Sequence, residues 1–307
     1  MIGNRQTTSH TGLNPRIPEW VLIALALFAV YVIWGSTYLA IALAVKSYPP
    51  FLMGAIRFLV AGSILYLILR WQGEANPAQL EVWNAARIGV LMIVGSVGLV
   101  TLTEFWGAPS GVVATVLATV PFWAGLWSSL WGRQPNRLEW LGMGIGLVGV
   151  AVLTLEHGFQ ANPTTLIVFL GPACWALGSI WSQHVPMPKG MMASAVEMLS
   201  GGLVLGVIGL VLGEHLPIRP TLTATLSLAY LAVFGSLVAF SAYLFLLGRV
   251  RPALATSFAY INPMVALGLG LTLGEPIGIN ALLALPIILT GMVLIALAQA
   301  RATRSRQ

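Results

Sequence analysis

Apolar runs long enough to cross a bilayer recur along the whole chain with only short polar breaks. They constrain the fold more than any motif does. The runs cover residues 20–44, 51–70, 83–106, 109–131, 140–155, 165–184, 190–212, 222–247, 252–273 and 279–299. A spanning helix takes about 20 apolar residues, so ten crossings are expected. The connections left over are too short for a soluble catalytic or nucleotide-binding domain. Composition agrees: of 307 residues, 58% are apolar and 8% charged, where an ordinary soluble domain has about 25% charged. All acids are glutamates, and the one cysteine, Cys174, excludes a disulfide framework within the chain. Residues 1–18 lack the apolar core and cleavage site of a signal peptide, so the first run is expected to be retained. The expected fold class is an all-α membrane protein with ten transmembrane helices.

The net charge of +6 reflects membrane orientation and not a nucleic-acid surface. With ten crossings both termini share a side. Arg5, Arg16, Arg70, Arg87, Arg133, Arg137, Lys189, Arg249, Arg251, Arg301, Arg304 and Arg306 then fall on that side, and Lys46 and Arg219 on the other. Positive charge resists translocation, so both termini are expected to be cytoplasmic.

The halves repeat. PFWAGLWSSLWG (121–132) aligns with PMVALGLGLTLG (263–274) at an offset of 142, which also carries Gly149 onto Gly291. MGAIRFLVAG (53–62) aligns with ASAVEMLSGG (193–202) at 140, as does Gly95-Ser96 with Gly235-Ser236; Gly35-Ser36 meets Gly178-Ser179 at 143. It is the preserved order of the matches that argues for duplication. Each half has an odd number of crossings, so the repeats must be inverted, a common transporter design. The expected units are a tail 1–19, a five-helix repeat 20–155, an inverted five-helix repeat 165–299 and a tail 300–307.

Several residues stand out within the runs. Pro121 and Pro263 fall near the midplane and are either gating helix breaks at a binding site or packing kinks. Asn262 offers an amide to a polar ligand or to a neighbouring helix. Arg57, Glu104 and Glu197 are intramembrane charges, which should face protein or water. Arg57 and Glu197 occupy equivalent repeat positions at different expected depths, so Glu104 is the expected mate of Arg57. Either glutamate could bind a proton or a cationic group; Arg57 and Glu197 could equally be structural or gating charges. Trp34, Tyr38, Trp123, Trp175, Tyr243 and Tyr260 lie deep enough to offer an apolar face and a hydrogen bond to an amphipathic solute, or to serve as packing bulk. Trp20, Trp71, Trp83 and Trp140 read as interface anchors. Gly142-x-x-x-Gly146 is a close-packing signature. The sequence has no Walker motif, zinc-protease motif or cysteine pair, and its histidines have no ligand spacing. No enzyme, metal or cofactor is therefore expected.

The strings IWGSTY (33–38), YPP (48–50), RFLVAG (57–62), APSG (108–111), ATVP (118–121), EMLSGG (197–202) and PALATSFAYINP (252–263) together resemble the EamA family of the drug/metabolite transporter superfamily. Within it the YedA-type exporters resemble the chain most. The resemblance implies ten helices in two inverted repeats, a central cavity lined by the first, third, fourth, sixth, eighth and ninth helices, and efflux by alternating access. It makes Trp34, Tyr38, Glu104, Pro121, Trp175, Tyr260 and Asn262 cavity candidates. Ala42 and Ser96-Val97-Gly98 depart from the YedA-like pattern, with a loss of polar groups. The expected function is secondary export of small amino-acid-like, aromatic or amphipathic compounds, drugs included, across the inner membrane, with a small-molecule substrate, protons and the bilayer as partners. The alternatives are an importer or facilitator of the same solutes, and a lipid scramblase or membrane scaffold.

Overall fold

The computed structural model describes residues 18–107, 113, 116–154, 167, 169–272 and 279–304. Residues 1–17 of the expected N-terminal tail, the APSG string and the whole link between the two expected repeats lie outside the described residues. The described chain forms α1 (Glu19–Ala44), α2 (Pro50–Trp71), α3 (Gln79–Phe105), α4 (Val120–Leu130), α5 (Arg137–Thr154) and α6 (Leu170–Trp181). It continues with α7 (Met191–Val211), α8 (Leu222–Leu247), α9 (Pro252–Ala255), α10 (Phe258–Thr272) and α11 (Ile279–Arg304). No strand occurs among the described residues. Five helices, α1, α2, α3, α7 and α8, are long and apolar enough to cross a membrane. The 22 residues of α2 rise about 33 Å, against a hydrocarbon core of about 30 Å.

These helices expose large apolar side chains, such as Leu67, Leu203 and Val211, and bury polar ones, including Arg57, Glu104, Asn262 and many serines and threonines. That distribution suits lipid as the surrounding solvent and makes the protein a multi-pass membrane protein.

Helix ends are closed by specific chemistry. Gly73 and Gly213 adopt φ of 87° and 76°, a left-handed conformation that glycine adopts without a Cβ penalty. The following nitrogens, of Glu74 and Glu214, reach back to the Leu69 and Gly209 carbonyls at 3.0 and 2.8 Å. The Glu214 carboxylate then accepts from the Phe51 and Leu52 nitrogens at 3.2 and 2.8 Å, covering free first-turn donors of α2. At the start of α5, Asn136 and Glu139 form a reciprocal capping box, with bonds of 2.8 and 2.9 Å. Glu139 also pairs with Arg251, Nη2 to Oε2 at 2.6 Å, which ties α5 to the residue preceding α9.

The most extensive pairings are α2 with α7 and α5 with α11. Both depend on glycine. A Cβ on Gly62 would lie 3.0 Å from the Leu199 nitrogen, and one on Gly202 3.0 Å from the Leu59 nitrogen. Similarly, a Cβ on Gly149 would lie 2.9 Å from the Ile288 nitrogen, and one on Gly291 2.7 Å from the Gly146 nitrogen. The Gly142-x-x-x-Gly146 signature therefore serves packing within the chain: Gly142 meets the Gly291 carbonyl and Gly146 the Tyr260 ring.

Two features depart from simple spans. α1, α3 and α8 each contain a π-helical stretch, at Ala29–Ile33, Val90–Gly98 and Leu231–Val238. Such turns often mark functional sites. The prolines also behave differently from each other. Pro121 sits in the first turn of α4, just after a turn at Ala118–Thr119. Pro263 lies inside α10, and the interruption falls earlier, at Thr256–Ser257. There the Thr256 and Ser257 hydroxyls donate to the Pro252 and Leu254 carbonyls at 2.8 and 2.7 Å, in competition with the helix ladder.

Candidate functional site: a central aromatic cavity

The π-helical stretches of α3 and α8, and the turns of α1 that follow its own, line one cavity of about 80 Å³ at the centre of the bundle. α1 contributes Trp34, Thr37 and Tyr38, α2 contributes Arg57, and α3 contributes Ser96. Trp175 of α6, Gly235 and Phe240 of α8, and Phe258 and Asn262 of α10 complete its principal wall. The cavity thus draws on both halves of the chain.

Trp34 organises the aromatic side. Its ring centroid lies 5.4 Å from Trp175, 4.7 Å from Phe258 and 5.3 Å from Tyr243. These tilted and edge-on arrangements suit ring quadrupoles. Its Nε1–H donates to the Gly235 carbonyl at 2.9 Å, within the π-helical stretch of α8. Gly235 itself admits little else: a Cβ there would lie 3.0 Å from Thr37 Cγ2 and 3.1 Å from Arg57 Nη2. On the polar side, the Asn262 amide nitrogen donates to the Phe258 and Tyr31 carbonyls at 3.0 and 3.2 Å in the orientation that satisfies its neighbours. The Tyr38 hydroxyl is set against the same amide.

The structure brings Trp34, Tyr38, Trp175 and Asn262 together in the cavity wall, and adds Arg57 to them. Tyr243 stands one layer behind, fully buried, its ring 5.3 Å from Trp175 and its hydroxyl bonded to Ser179 Oγ at 2.7 Å. Tyr260 is placed elsewhere: it fills the α5–α10 contact and donates to the Met143 carbonyl at 2.9 Å. Trp123 stacks on Trp127 at 5.9 Å, away from the cavity wall. Thr37, Ser96, Gly235, Phe240 and Phe258 were not among the cavity residues expected from the sequence. Their signal, small or aromatic residues in apolar helices, is shared by dozens of packing positions.

The expected pairing of Arg57 with Glu104 does not form. Arg57 Nε donates instead to Ser236 Oγ at 2.7 Å, because the bare backbone at Gly235 lets the guanidinium lie directly against α8. Both Glu104 oxygens are buried without a hydrogen-bond partner, and so are both of Glu197. Glu197 borders a second cavity, of about 320 Å³, beside Ser241, Gln183 and Arg249. No cluster able to hold a metal ion occurs among the described residues.

An apolar multi-helix bundle around an aromatic cavity that holds a buried charge is the architecture of a membrane transporter. The chain belongs to the EamA-like transporter family, whose model matches residues 21–155 and again 162–297. Its activity is accordingly transport across a membrane, as for its family, and it is not an enzyme. It is similar to the uncharacterised inner membrane transporter YedA of Escherichia coli K12, with 42% identity over 274 residues, 89% of this chain and 90% of YedA. Protein PecM of Dickeya dadantii is 28% identical, covering 79% of this chain and 82% of its own. A probable amino-acid metabolite efflux pump of Salmonella typhimurium is 24% identical, with 86% and 91% covered. Among solved structures, one crystal structure aligns with a TM-score of 0.74 at 19% identity, covering 91% of this chain and 98% of the other.

Proposed function

We propose that the protein is a secondary transporter of the inner membrane that exports small amphipathic metabolites by alternating access, with ten helices in two inverted five-helix repeats and both termini cytoplasmic. The observation that carries this reading is the central cavity, built from both halves of the chain and lined by Trp34, Tyr38, Trp175 and Asn262. Several features support the architecture. The two family matches, 21–155 and 162–297, support two units at about the proposed 20–155 and 165–299, between tails 1–19 and 300–307. The glycine contacts are reciprocal: Gly62 with Leu199 maps onto Gly202 with Leu59 at the repeat offset, and Gly149 with Ile288 onto Gly291 with Gly146. The same left-handed glycine closes α2 and α7. Two relatives, an inner membrane transporter and an amino-acid metabolite efflux pump, support location and solute class.

Swapping the conformations of two inverted halves exchanges an outward-open for an inward-open state. Solute would enter from the cytoplasm, rest among the rings of the cavity and leave as the halves rock about the interruptions at Ala118–Thr119 and Thr256–Ser257. A lateral groove between α1, α2 and α8 is lined by apolar residues such as Leu22, Ile68 and Phe245. A scramblase needs a polar path for headgroups, so this groove favours the transporter.

Energy comes from a gradient, with Glu104 as the coupling carboxylate: it is buried in α3 and has no hydrogen-bond partner among the described residues. Glu104→Gln should abolish gradient-driven transport in proteoliposomes while leaving solute counterflow intact; unchanged gradient dependence would remove Glu104 from the mechanism. The general reading is tested by metabolite profiling of medium and cytosol from cells expressing the protein, against empty vector. A compound enriched outside and depleted inside is the expected result. No difference for any metabolite or added xenobiotic would overturn export.

A further inference from the structure

Arg57 is 4% exposed, lies in the middle of a membrane helix and lines the cavity. Among the described residues its one hydrogen bond is from Nε to Ser236 Oγ, and the Phe58 ring lies 4.8 Å from its Cζ. The ion pairs among the described residues join Arg249 to Glu19 and Arg251 to Glu139, so neither uses Arg57. Two buried carboxylates, Glu104 and Glu197, also stay unbonded, and neither neutralises it. A guanidinium taken out of water without a counter-charge is costly, and such a group inside a membrane faces a pathway or a partner.

The geometry points to a missing anion. The Nε bond to Ser236 fixes the guanidinium plane and leaves the terminal nitrogens as donors without an acceptor among the described residues. A guanidinium fork matches a carboxylate through two parallel bonds, which the point charge of a lysine cannot reproduce. Among the described residues no acidic side chain lines the cavity, and although aromatic faces can hold a cation, the Arg57 guanidinium in the same wall repels one. Beside Arg57 the wall offers the faces of Trp34, Trp175, Phe240 and Phe258 to an apolar body. The cavity, about 80 Å³, is well below the roughly 300–1,000 Å³ of typical ligand pockets. It suits the headgroup of a small solute, and the solute-bound form must be wider.

We propose that Arg57 is the anchor for an anionic headgroup, so that the transported solutes are small monoanions, typically carboxylates, with an apolar or aromatic body. This rests on the transport reading above and narrows it. The test uses the full-length protein in proteoliposomes loaded in turn with a radiolabelled phenyl series: 3-phenylpropionate, its neutral amide and the cationic 2-phenylethylamine. Counterflow of each is compared in wild type, Arg57→Gln and Arg57→Lys. The acid should be exchanged at least tenfold better than the amide or the amine. Arg57→Gln should bring acid and amide to within about twofold of each other, and Arg57→Lys should restore only part of the preference. A purely structural arginine would lower all three rates together without moving their ratio. Equal or better exchange of the amide or amine by wild type overturns the inference while transport stands, and that comparison does not depend on any variant folding. Retention of the acid preference in Arg57→Gln overturns it too. Exchange of none of the three overturns the inference and, if profiling also finds no solute, the transport reading with it.

Discussion

Trp34 serves the cavity in two ways. Its ring forms part of the wall and anchors three other rings, and its indole N–H satisfies the Gly235 carbonyl at 2.9 Å. Phenylalanine would keep much of the ring contact and leave that buried carbonyl without its indole donor. Removing one partner of a buried hydrogen bond costs about 1–3 kcal/mol, so Trp34→Phe should lower the melting temperature in detergent and weaken solute counterflow. Unchanged stability and transport would show that the Trp34–Gly235 bond contributes to neither. Four of the seven aromatic and amide candidates are wall residues: Trp34, Tyr38, Trp175 and Asn262 line the cavity, whereas Trp123, Tyr243 and Tyr260 do not. The reason is physical. In a soluble helix the polar face shows which way a residue points, but these helices are apolar around their whole circumference, so depth is legible and direction is not. Arg57 illustrates the converse: a charge in a spanning run announces a buried role, yet its neighbour Ser236 is found only by folding α8 against α2.

Among the elements, the start of α5 depends on one side chain. Glu139 caps its own helix through Asn136 and pairs with Arg251 ahead of α9, with 2% of its side chain exposed. Glu139→Ala removes both interactions and should destabilise the protein by about 2–4 kcal/mol, the range expected when a cap and one partner of a buried ion pair are lost together. Glu139→Gln keeps a cap acceptor and should cost less. Equal melting temperatures for all three proteins would exclude this role. Five of the spans, α1, α2, α3, α7 and α8, were legible because length and apolarity mark a span directly. Their interruptions were less so. Proline predicts a break, but the ninth run gives way at Thr256–Ser257, where side-chain hydroxyls capture backbone carbonyls. The π-helical stretches of α1, α3 and α8 have no sequence signature comparable to a proline.

At the scale of the molecule, alternating access requires the two halves to separate at one end while they close at the other. Ser47, between α1 and α2, and Thr221, at the start of α8, bring the halves together, Oγ to Oγ1 at 3.2 Å in an exposed position. Under the proposed orientation this contact lies outside the cytoplasm. Oxidation there forms disulfides, whereas the cytosol keeps thiols reduced. Ser47→Cys with Thr221→Cys, in a chain whose native Cys174 has been replaced by serine, should therefore cross-link during growth without added oxidant. The bridge would hold the halves together at that end and should stop counterflow, with recovery once a reductant opens it. Either single-cysteine chain should transport normally, which separates the effect of the bridge from that of the substitutions. A pair that stays reduced in cells but oxidises after lysis would reverse the orientation inferred from the arginines and lysines. A bridged protein that still exchanges solute at the full rate would mean that the halves do not part at this edge, and the rocking motion would have to be abandoned.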